Sequence, residues 1–559
     1  MTGQTSNFTE AVASAIAAES SHAFGLMGAG TIRLTHHLTH DHGVTYHAAR
    51  HEAGAIGAAD GYARVTRRTG VSLITWGPAL TNTATALTVA LRAKSSLVLV
   101  AGDASGVPTE RNLFAAGTQG FDQRPFLDVL GVPVVRARSR TASRDVARAF
   151  VLAREERSPV ALLLPMENEL APAVNAPEPE SRPAPTPIPL DEEALGPAAA
   201  ALRAAERPIV LAGGGAIRAE ARDAIIQLAD AVGALLATTL RSKDLFADHP
   251  YNLGVAGGFS PDLTAGLFAR ADCVVAFGAS LNHFTTKRRQ LFAGATVIHC
   301  DVDPEAIIRH GAPSIPLRGD AGEVASQLKK AIGPGLENAS FREEALAAGL
   351  AKDSWKPPFK DLSSPGALDP RAVCDRLDIV LPRERTVVTD SGAVNEFPAS
   401  YLSVPDPEAL LWLLGDFGAI GTGIAPAIGA AVGRPDRLTV FLSGDGGLIM
   451  AIQELDLAVR ERLPLLVVCL NDRAYGSEFH HMRDDGLPEV PGARFETPDL
   501  AEVARAFGCH GERIESLDQL DSLPERLASL DRPLLLDVMM TQELVPSLLR
   551  RHSGPPSDG

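Results

Sequence analysis

Two aspartates stand where oxygen ligands for a metal ion would be expected. Asp445 follows a predicted apolar strand, Leu438–Ser443, within a Gly-Asp-Gly turn. Asp472 follows a second apolar strand, and an amphipathic helix is predicted between the two strands. A right-handed β-α-β unit returns its second strand beside the first, so both strands end at the same edge of the sheet. We therefore expect the two carboxylates to be neighbours.

The glycines around Asp445 suit the binding of an anion. Gly444, Gly446 and Gly447 let backbone N–H groups approach an anion, and the helix that follows points the positive end of its dipole the same way. Hard oxygen ligands beside such a turn suit Mg²⁺ bound through a diphosphate. Asp445 alone would be interpreted as a turn aspartate, and its pairing with Asp472 favours the metal site.

A third acidic residue lies in the first turn of a predicted helix. Glu52 opens the helix predicted over Arg50–Val65, directly after a predicted strand, Val44–Ala48. The Ala and Gly residues of this helix predict a flat face that packs closely against another helix. Glu52 is not part of that pattern. A glutamate at this position is explained either by a favourable interaction with the helix dipole or by a catalytic role.

The elements that would position these residues alternate between helix and strand along the chain. This alternation predicts an α/β fold of three doubly wound domains with mostly parallel sheets. A chain of 559 residues is also too long for one core. The expected divisions are an N-terminal domain (1–170), a Pro-rich linker (171–190), a central domain (191–333), a second linker (334–369), a C-terminal domain (370–545) and a tail (546–559).

The composition excludes several classes of function. A net charge of −16 argues against a general binder of nucleic acid or anionic membranes. The five cysteines are scattered and lack CxxC pairing, which disfavours a disulfide framework or a zinc site and favours a reducing compartment. There is no signal-peptide pattern, and no apolar run approaches the ~18–20 residues that span a bilayer. We expect a cytoplasmic protein with no membrane or nucleic-acid partner.

Two further motifs carry weaker signals. The turn Gly213–Gly215 follows a predicted strand, Pro208–Ala212, but lacks the GxGxxG spacing of a dinucleotide site. The cluster LTHHLTHDHG contains an i, i+4 histidine pair, which we interpret as a solvated helix end, with metal binding as the minor alternative. Its histidines are His36, His37, His40 and His42.

Four motifs together resemble one enzyme family. RHEAGAIGAADGYAR, which contains Glu52, the turn GPALTN (Gly77–Asn82), GAIGTGIAPAIGAA (Gly418–Ala431) and the GDG…ND pair are similar to acetolactate-synthase-like thiamine-diphosphate enzymes. RPIVLAGGGAIR and VIHCDVDP resemble the central domain of that family. The resemblance covers nearly the whole chain. It implies a pyrimidine-binding, a central and a diphosphate-binding domain.

The resemblance implies a metal and diphosphate site. Asp445, Asp472 and the carbonyl oxygen of Ala474 would bind Mg²⁺, and the amides of the turn glycines would meet the diphosphate. The usual Asn-Asn pair of the family is Asn471-Asp472 here. Because a carboxylate offers a similar oxygen and an added charge, we expect a hard cation to bind and cofactor retention to depend strictly on it.

The resemblance also implies roles around the reactive part of thiamine diphosphate. Glu52 would contact N1′ of the aminopyrimidine and promote the imino tautomer that takes the C2 proton. Ile420 would support the bent cofactor from below, and the alternative is that it is a core residue. The carbonyl of Gly418 would accept a hydrogen bond from the 4′-amino group.

Other family positions bear on the reaction type. Gln119 resembles the active-site glutamine of the family. Pyruvate-decarboxylase-type enzymes carry an acidic residue where Ala29 stands and a His-His pair near Gln119, so simple aldehyde release is disfavoured. His480 or His481 could supply the missing acid/base function, and the alternative is that both are surface or supporting residues.

The resulting hypothesis is a lyase or carboligase that cleaves or forms a carbon–carbon bond of a 2-oxo acid or α-diketone. Acetolactate synthesis, a transferase reaction, is the named possibility. The alternatives are a 2-oxo acid decarboxylase, a 2-hydroxyacyl-CoA-type lyase, a non-catalytic cofactor-binding relative, and a flavin or nicotinamide oxidoreductase using Gly213–Gly215.

The resemblance further implies an oligomer. In the family, the cofactor lies between the first domain of one subunit and the third domain of another, which predicts a homodimer or homotetramer. The flavin-binding pattern of the family is not recognisable in GASLNHFTTKRRQ (Gly278–Gln290), so whether FAD binds stays open.

Overall fold

Three parallel sheets form the framework of the protein, in a computed structural model that describes residues 7–105, 118–173, 190–333, 341–350 and 356–546. Each sheet has six strands, and neighbouring strands run parallel throughout. The first sheet contains β1 (His22–Gly25), β2 (Thr45–Ala48), β3 (Gly70–Ile74), β4 (Leu97–Asp103), β5 (Val134–Arg136) and β6 (Pro159–Pro165). The second contains β7 (Pro208–Ala212), β8 (Leu235–Thr238), β9 (Asn252–Val255), β10 (Cys273–Phe277), β11 (Thr296–Asp301) and β12 (Ile315–Arg318). The third contains β13 (Arg385–Thr389), β14 (Leu410–Trp412), β15 (Leu438–Gly444), β16 (Leu465–Asn471), β17 (His510–Ile514) and β18 (Leu534–Met539).

Helices connect the strands of each sheet. The first domain has α1 (Phe8–Ala17), α2 (Ile32–His36), α3 (Glu52–Thr66), α4 (Pro78–Thr81), α5 (Ala84–Ala93), α6 (Gln123–Leu130) and α7 (Ala142–Glu155). The second has α8 (Glu192–Ala204), α9 (Gly214–Arg218), α10 (Arg222–Val232), α11 (Asp262–Arg270), α12 (Pro304–Arg309), α13 (Ala321–Ile332) and α14 (Glu344–Leu350). The third has α15 (Pro370–Val380), α16 (Glu396–Tyr401), α17 (Ile424–Gly433), α18 (Asp445–Met450), α19 (Leu455–Arg460), α20 (Gly476–Asp484), α21 (Leu500–Ala506) and α22 (Leu523–Ala528). None of the described helices is both long and apolar enough to span a membrane.

The strand orders confirm the predicted fold class. The first sheet has the order β2-β1-β3-β4-β6-β5, and the third repeats that order as β14-β13-β15-β16-β18-β17. The middle sheet has the order β12-β11-β10-β7-β8-β9, which is the Rossmann order read from the other edge. The domain limits given above stay predictions, although each sheet lies within one of the predicted domains.

Each sheet is covered on both faces, as a doubly wound fold requires. In the third sheet, Val440 and Val468 belong to the cluster of buried residues on one face, whereas Phe441 and Val467 belong to the cluster on the other. All seven residues of β16 are buried. Strands buried on both faces are continuously apolar, which is why these strands are recognisable in the sequence.

The first and third domains meet where α3 packs against α17. A Cβ atom on Gly61 would overlap the carbonyl oxygen of Pro426, and one on Gly429 would overlap that of Ala58. The two helix backbones can approach this closely only because the contact residues are small. The flat packing face predicted for α3 is therefore present, and it faces a helix of another domain.

Two predicted helices are interrupted. The helix predicted over Ala216–Val232 is divided into α9 and α10, with Glu220 between them at φ 50°. The single helix predicted after Asp445 is divided into α18, a 3₁₀ turn at Ile452–Glu454 and α19. The second break directs Glu454 toward the first domain, as described below.

Candidate active site

The two predicted carboxylates lie at one edge of the third sheet. Strands β15 and β16 are adjacent, with Gly444 opposite Leu470, so Asp445 and Asp472 follow neighbouring strand ends. A cavity of about 210 Å³ opens at this edge. Its lining includes the predicted residues Gly418, Ile420, Gly444, Gly446, Gly447, Asp472 and Ala474.

Asp445 and Asp472 are both buried, which is costly for two like charges. Oδ2 of Asp445 accepts a hydrogen bond of 2.5 Å from Thr497 Oγ1, and Oδ1 of Asp445 meets no hydrogen-bond partner within the part of the chain that the structure describes. Burial raises the pKa of Asp445. Burial and the neighbouring Asp445 charge raise the pKa of Asp472 to about 8. A buried oxygen without a partner beside a second carboxylate fits a divalent cation with oxygen ligands.

Asn471, the other member of the Asn-Asp pair, points away from this site. Its Nδ2 donates a hydrogen bond of 2.8 Å to Asp537 Oδ1 on β18. Asp472 differs in its partner, because its Oδ1 accepts a hydrogen bond of 3.2 Å from the backbone N–H of Ala474. The aspartate is therefore the member of the pair that faces the cavity.

The glycines of the turn are required by close contacts. A Cβ atom on Gly446 would lie 2.7 Å from the ring of Tyr475, and one on Gly447 would lie 2.6 Å from Asp390 Oδ2. Neither distance leaves room for a methyl group. The turn therefore presents bare backbone toward the cavity, which suits a phosphate group.

Asp390 is a site residue that the sequence analysis missed. It follows β13 at the same sheet edge and is buried. Its carboxylate accepts hydrogen bonds from the N–H groups of Gly421 (2.9 Å) and Thr422 (3.3 Å), and from Ser443 Oγ (3.0 Å). Asp390 thus joins the segment after Ile420 to β15. An aspartate directly after a strand rich in valine and threonine was the signal that could have revealed it.

Glu52 lies at the first position of α3 and is nearly buried. Its Oε2 accepts a hydrogen bond of 3.0 Å from Asn82 Nδ2, at the end of the GPALTN turn. Among the described residues, those that line the cavity of the third domain do not include Glu52. One chain therefore does not bring the two halves of the predicted site together in this cavity.

Gln119 lies beside the same turn of the first domain. Its backbone oxygen blocks the space where Gly77 would carry a Cβ atom, and its side chain is exposed. The turn itself is fixed by Gln123, which accepts from the N–H of Gly77 at 3.0 Å and donates to the carbonyl of Gly102 at 2.8 Å. Glu52 and Gln119 thus both border the GPALTN turn, which ends at Asn82.

His480 and His481 lie on α20, which begins beside the cavity. His480 is buried, and burial lowers its pKa. The described residues that line the cavity include Ser477 and Glu478 from the first turn of α20, but neither histidine. Their predicted acid/base role therefore stays a prediction, and Glu478 is the titratable side chain of α20 that reaches the cavity.

The histidine cluster near residue 40 shows no metal site. His37 Nδ1 lies 2.6 Å from Asp41 Oδ2, and the rings of His36 and His40 stack at 4.4 Å. Across the described ranges, no group of three or more His, Cys, Asp or Glu side chains is arranged to hold a metal ion. The interpretation as a helix end is the one that these contacts support.

Glu454 fixes the start of α3 and thereby the position of Glu52. It is 1% exposed, and its Oε2 accepts a hydrogen bond of 3.2 Å from the backbone N–H of Arg50. A Cβ atom on Gly54 would overlap its carboxylate. Burial raises the pKa of Glu454 to about 7. A third-domain acid therefore holds the helix that carries the first-domain acid.

We expect Glu454→Gln to raise the melting temperature of the protein at pH 8. The folded-state pKa of about 7 lies above the ordinary value of 4.5. The stability that this group contributes is therefore complete below pH 4.5 and is lost as pH rises through 7. Above that pH the wild type carries a buried carboxylate that glutamine avoids, a gain on the order of 1–3 kcal/mol.

Thermal melts at pH 5 and pH 8 check this prediction. The gain should be a few degrees at pH 8 and should shrink toward pH 5. The control is Glu502→Gln, at an exposed helix glutamate, whose effect on the melting temperature should be small at both pH values. A Glu454→Gln protein that melts at or below the wild-type temperature at pH 8 would contradict the assignment.

Comparison with known proteins identifies the family. Models described as the N-terminal TPP binding domain, the central domain and the C-terminal TPP binding domain of thiamine pyrophosphate enzymes match residues 6–124, 195–328 and 390–538. The chain is 28% identical to the acetolactate synthase isozyme 2 large subunit of Escherichia coli, over 93% of this chain and 92% of the relative. It is 30% identical to a protein assigned as the 2-ketoarginine decarboxylase AruI of Pseudomonas aeruginosa, over 89% of this chain and 87% of the relative. The chain belongs to the acetolactate-synthase-like family of thiamine-diphosphate enzymes.

Members of this family differ in the reactions for which they are named. Sulfoacetaldehyde acetyltransferase of Castellaniella defragrans is 26% identical over 88% of this chain and 86% of the relative. An X-ray structure assigned to a thiamin diphosphate-dependent enzyme of Mycobacterium smegmatis has a TM-score of 0.79 and 23% identity, covering 96% of this chain and all of that one. The structural match shows the fold. Relatives of similar identity are named as a synthase, an acetyltransferase and a decarboxylase, so sequence identity alone does not determine the reaction of this chain.

Proposed function

We propose that this chain is a thiamine-diphosphate- and Mg²⁺-dependent enzyme that cleaves or forms a carbon–carbon bond next to the carbonyl group of a 2-oxo acid or α-diketone. The observation that carries the proposal is the cavity in which the bare Gly446–Gly447 backbone, Asp472, Ala474 and Ile420 come together. These residues would hold the metal and the diphosphate and support the ring system above them. When bound, thiamine diphosphate supplies a carbon nucleophile for the substrate carbonyl group.

The residues of the chain contribute positioning and proton transfer in this proposal. Asp445, Asp472 and the Ala474 carbonyl would hold Mg²⁺, and Gly418 lies at the cavity wall, where its carbonyl oxygen could accept a hydrogen bond. Glu52 would share a proton with the cofactor ring, and the 3.0 Å hydrogen bond from Asn82 orients its carboxylate. Gln119 borders the same turn and would contact the substrate.

A decarboxylase is the second candidate. The sequence disfavours aldehyde release because Ala29 and Gln119 replace proton donors. The structure brings Glu478 to the cavity, and a carboxyl group there could deliver a proton to a product carbon. The relative assigned as a 2-ketoarginine decarboxylase supports this alternative.

Incubation with thiamine diphosphate, Mg²⁺ and a panel of 2-oxo acids and α-diketones, analysed by mass spectrometry, tests both candidates. A product containing carbon atoms from two substrate molecules supports the carboligase. Release of the one-carbon-shorter aldehyde with CO₂ supports the decarboxylase. Absence of turnover while the cofactor is bound would contradict both and favour a non-catalytic relative.

We further propose that the active site forms between two copies of the chain. Glu52 is not among the described residues lining the cavity of its own third domain, so a second chain would supply the carboxylate. The helix after Asp445 exposes two apolar side chains, Ile449 (38%) and Met450 (57%), as expected for a surface that another subunit covers. A symmetric pair would then have two identical sites.

Mixing two inactive variants tests this arrangement. We expect Glu52→Gln and Asp445→Asn, each inactive alone, to regain about a quarter of wild-type activity after joint refolding, because half of the dimers are mixed and each of those contains one intact site. Each variant refolded alone is the control. If the mixture stays inactive while mixed dimers are detected by mass, the site lies within one chain.

A further inference from the structure

The segment that carries Gly418 and Ile420, residues 416–423, forms neither helix nor strand between the 3₁₀ turn Leu413–Gly415 and α17. Gly418 and Gly421 have positive φ angles of 74° and 75°, and Phe417 is 48% exposed. The hydrogen bonds of Asp390 hold the far end of this segment at Gly421. The near end begins at Asp416, whose backbone N–H donates to Leu413 at 3.0 Å.

Asp416 anchors the near end through ion pairs with two other domains. Its side chain is fully buried. Arg64 Nη1, on α3 of the first domain, donates to Asp416 Oδ2 at 2.7 Å. Arg241, which follows β8 in the central domain, pairs with Asp416 Oδ1. Both carboxylate oxygens therefore have a guanidinium partner, each from a different domain.

Asp60 is the second buried carboxylate that pairs with Arg64. Arg64 Nε donates to Asp60 Oδ1 at 3.0 Å, and Arg64 Nη2 lies 2.9 Å from Asp60 Oδ2. Asp60 is 1% exposed. The inter-domain ionic cluster, consisting of Asp60, Arg64, Arg241 and Asp416, thus balances two carboxylates with two guanidinium groups.

Such a cluster is better explained by positioning than by stability. Buried ion pairs add little net stability compared with apolar residues of the same volume, because both charges must be desolvated. They do fix geometry, since planar guanidinium groups hold carboxylates in defined orientations. The residue fixed in this way, Asp416, lies two residues before Gly418 and four before Ile420.

The same helix links the cluster to the catalytic acid. Arg64 follows Glu52 by 12 residues on α3, roughly 18 Å at 1.5 Å per residue. Because α3 packs backbone to backbone on α17 at Gly61 and Gly429, it is held as a rigid body against the third domain. The helix that presents Glu52 therefore also fixes the cofactor-facing segment.

We propose that Arg64, Arg241 and Asp416 are positioning residues that hold the segment of Gly418 and Ile420 in its cofactor-binding conformation. This proposal rests on the proposed function, because it assumes that the cavity takes thiamine diphosphate. It predicts that loss of an ion pair first increases the mobility of the segment and, as a consequence, weakens cofactor binding.

Hydrogen exchange of the cofactor-free protein provides a readout that does not involve activity. We expect Arg241→Leu and Asp416→Asn to increase amide exchange in the Phe417–Ile420 peptide by about tenfold and to leave the interior of α17 unchanged. The Kd for thiamine diphosphate with Mg²⁺ should rise by about tenfold to a hundredfold. Arg241→Lys should restore both values to within about threefold of wild type, because Arg241 contacts Asp416 through a single nitrogen and lysine retains that charge.

Arg222→Leu is the matched control. Arg222 lies in the same domain as Arg241, has a similar exposed fraction (37% against 45%) and also pairs with an aspartate, Asp248. It should leave exchange of the segment and cofactor affinity unchanged. If Asp416→Asn does not fold, the comparison of Arg241→Leu with Arg241→Lys carries the test.

Two outcomes would overturn the proposal. Unchanged exchange of the Phe417–Ile420 peptide in Arg241→Leu would show that the ion pair does not hold the segment. Equal effects of Arg241→Leu and Arg241→Lys would show that the paired charge is not the cause. If the wild type fails to bind thiamine diphosphate, the proposed function fails, whereas the exchange measurement still reports on the segment.

Discussion

Replacing Glu52 with Gln should slow C2 proton exchange of bound thiamine diphosphate by ~10²–10⁴-fold, the range typical of a lost acid–base group. Glutamine preserves the size of the side chain and can still accept the 3.0 Å hydrogen bond from Asn82. It cannot share a proton with the cofactor ring. Cofactor affinity should therefore change much less than the exchange rate. Dilution into D₂O for a set time, rapid quenching with acid and proton NMR of the released cofactor measure the rate directly.

The alternative for Glu52 is a helix N-terminal glutamate that only interacts with the dipole. Glu193 provides the matched control, because it is an exposed glutamate in the first turn of α8. Glu193→Gln should leave the exchange rate unchanged. If Glu52→Gln exchanges at the wild-type rate and loses only a few tenths of a kcal/mol of stability, the dipole explanation is right.

The position of Asp445 and Asp472 at one edge of the third sheet was predictable, because it depends on sequence patterns close to each residue. Continuous apolar runs mark β15 and β16, and the parallel β-α-β connection leaves Asp445 and Asp472 side by side. The small residues of α3 likewise predict a helix partner, although not which helix. These inferences need only the sequence near each residue and the handedness of the connection.

The contacts that hold the site in place were not predictable in the same way. Glu454 reaches Arg50, and Asp416 reaches Arg64, across sequence separations of several hundred residues. Which charged side chain is buried and against which partner depends on how the domains pack, and no local periodicity encodes that. The interruption of the helix at Ile452–Glu454 was not predictable for the same reason. It accompanies the contact of Glu454 with Arg50 of another domain, which the local sequence does not encode.

Removal of divalent cations should release the cofactor from the wild-type protein, with a rise in the Kd for thiamine diphosphate on the order of 10²-fold or more. Asp445 and Asp472 are buried side by side, and an anionic diphosphate would add further negative charge beside them. Two unit charges about 4 Å apart interact by about 4 kcal/mol at an effective dielectric constant of 20, and screening reduces this value. Calorimetric titration with and without chelator, followed by readdition of Mg²⁺, measures the effect.

Asp472 stands where the family usually has asparagine, so Asp472→Asn tests whether the added charge makes the metal necessary. Asp472→Asn removes a carboxyl group with a raised pKa of about 8, so above pH 8, where the metal-free wild type carries this buried charge, the variant should melt at a higher temperature than the wild type without metal. It should also lose less cofactor affinity on chelation, about tenfold rather than a hundredfold. Asp445→Asn should bind the cofactor weakly even in saturating Mg²⁺, because the oxygen left for the metal, the buried Oδ1, then belongs to a neutral amide. Wild-type affinity that survives exhaustive chelation would show that the aspartates do not hold a cation. Equal chelator sensitivity of wild type and Asp472→Asn would show that the added charge at Asp472 is not what makes the metal necessary.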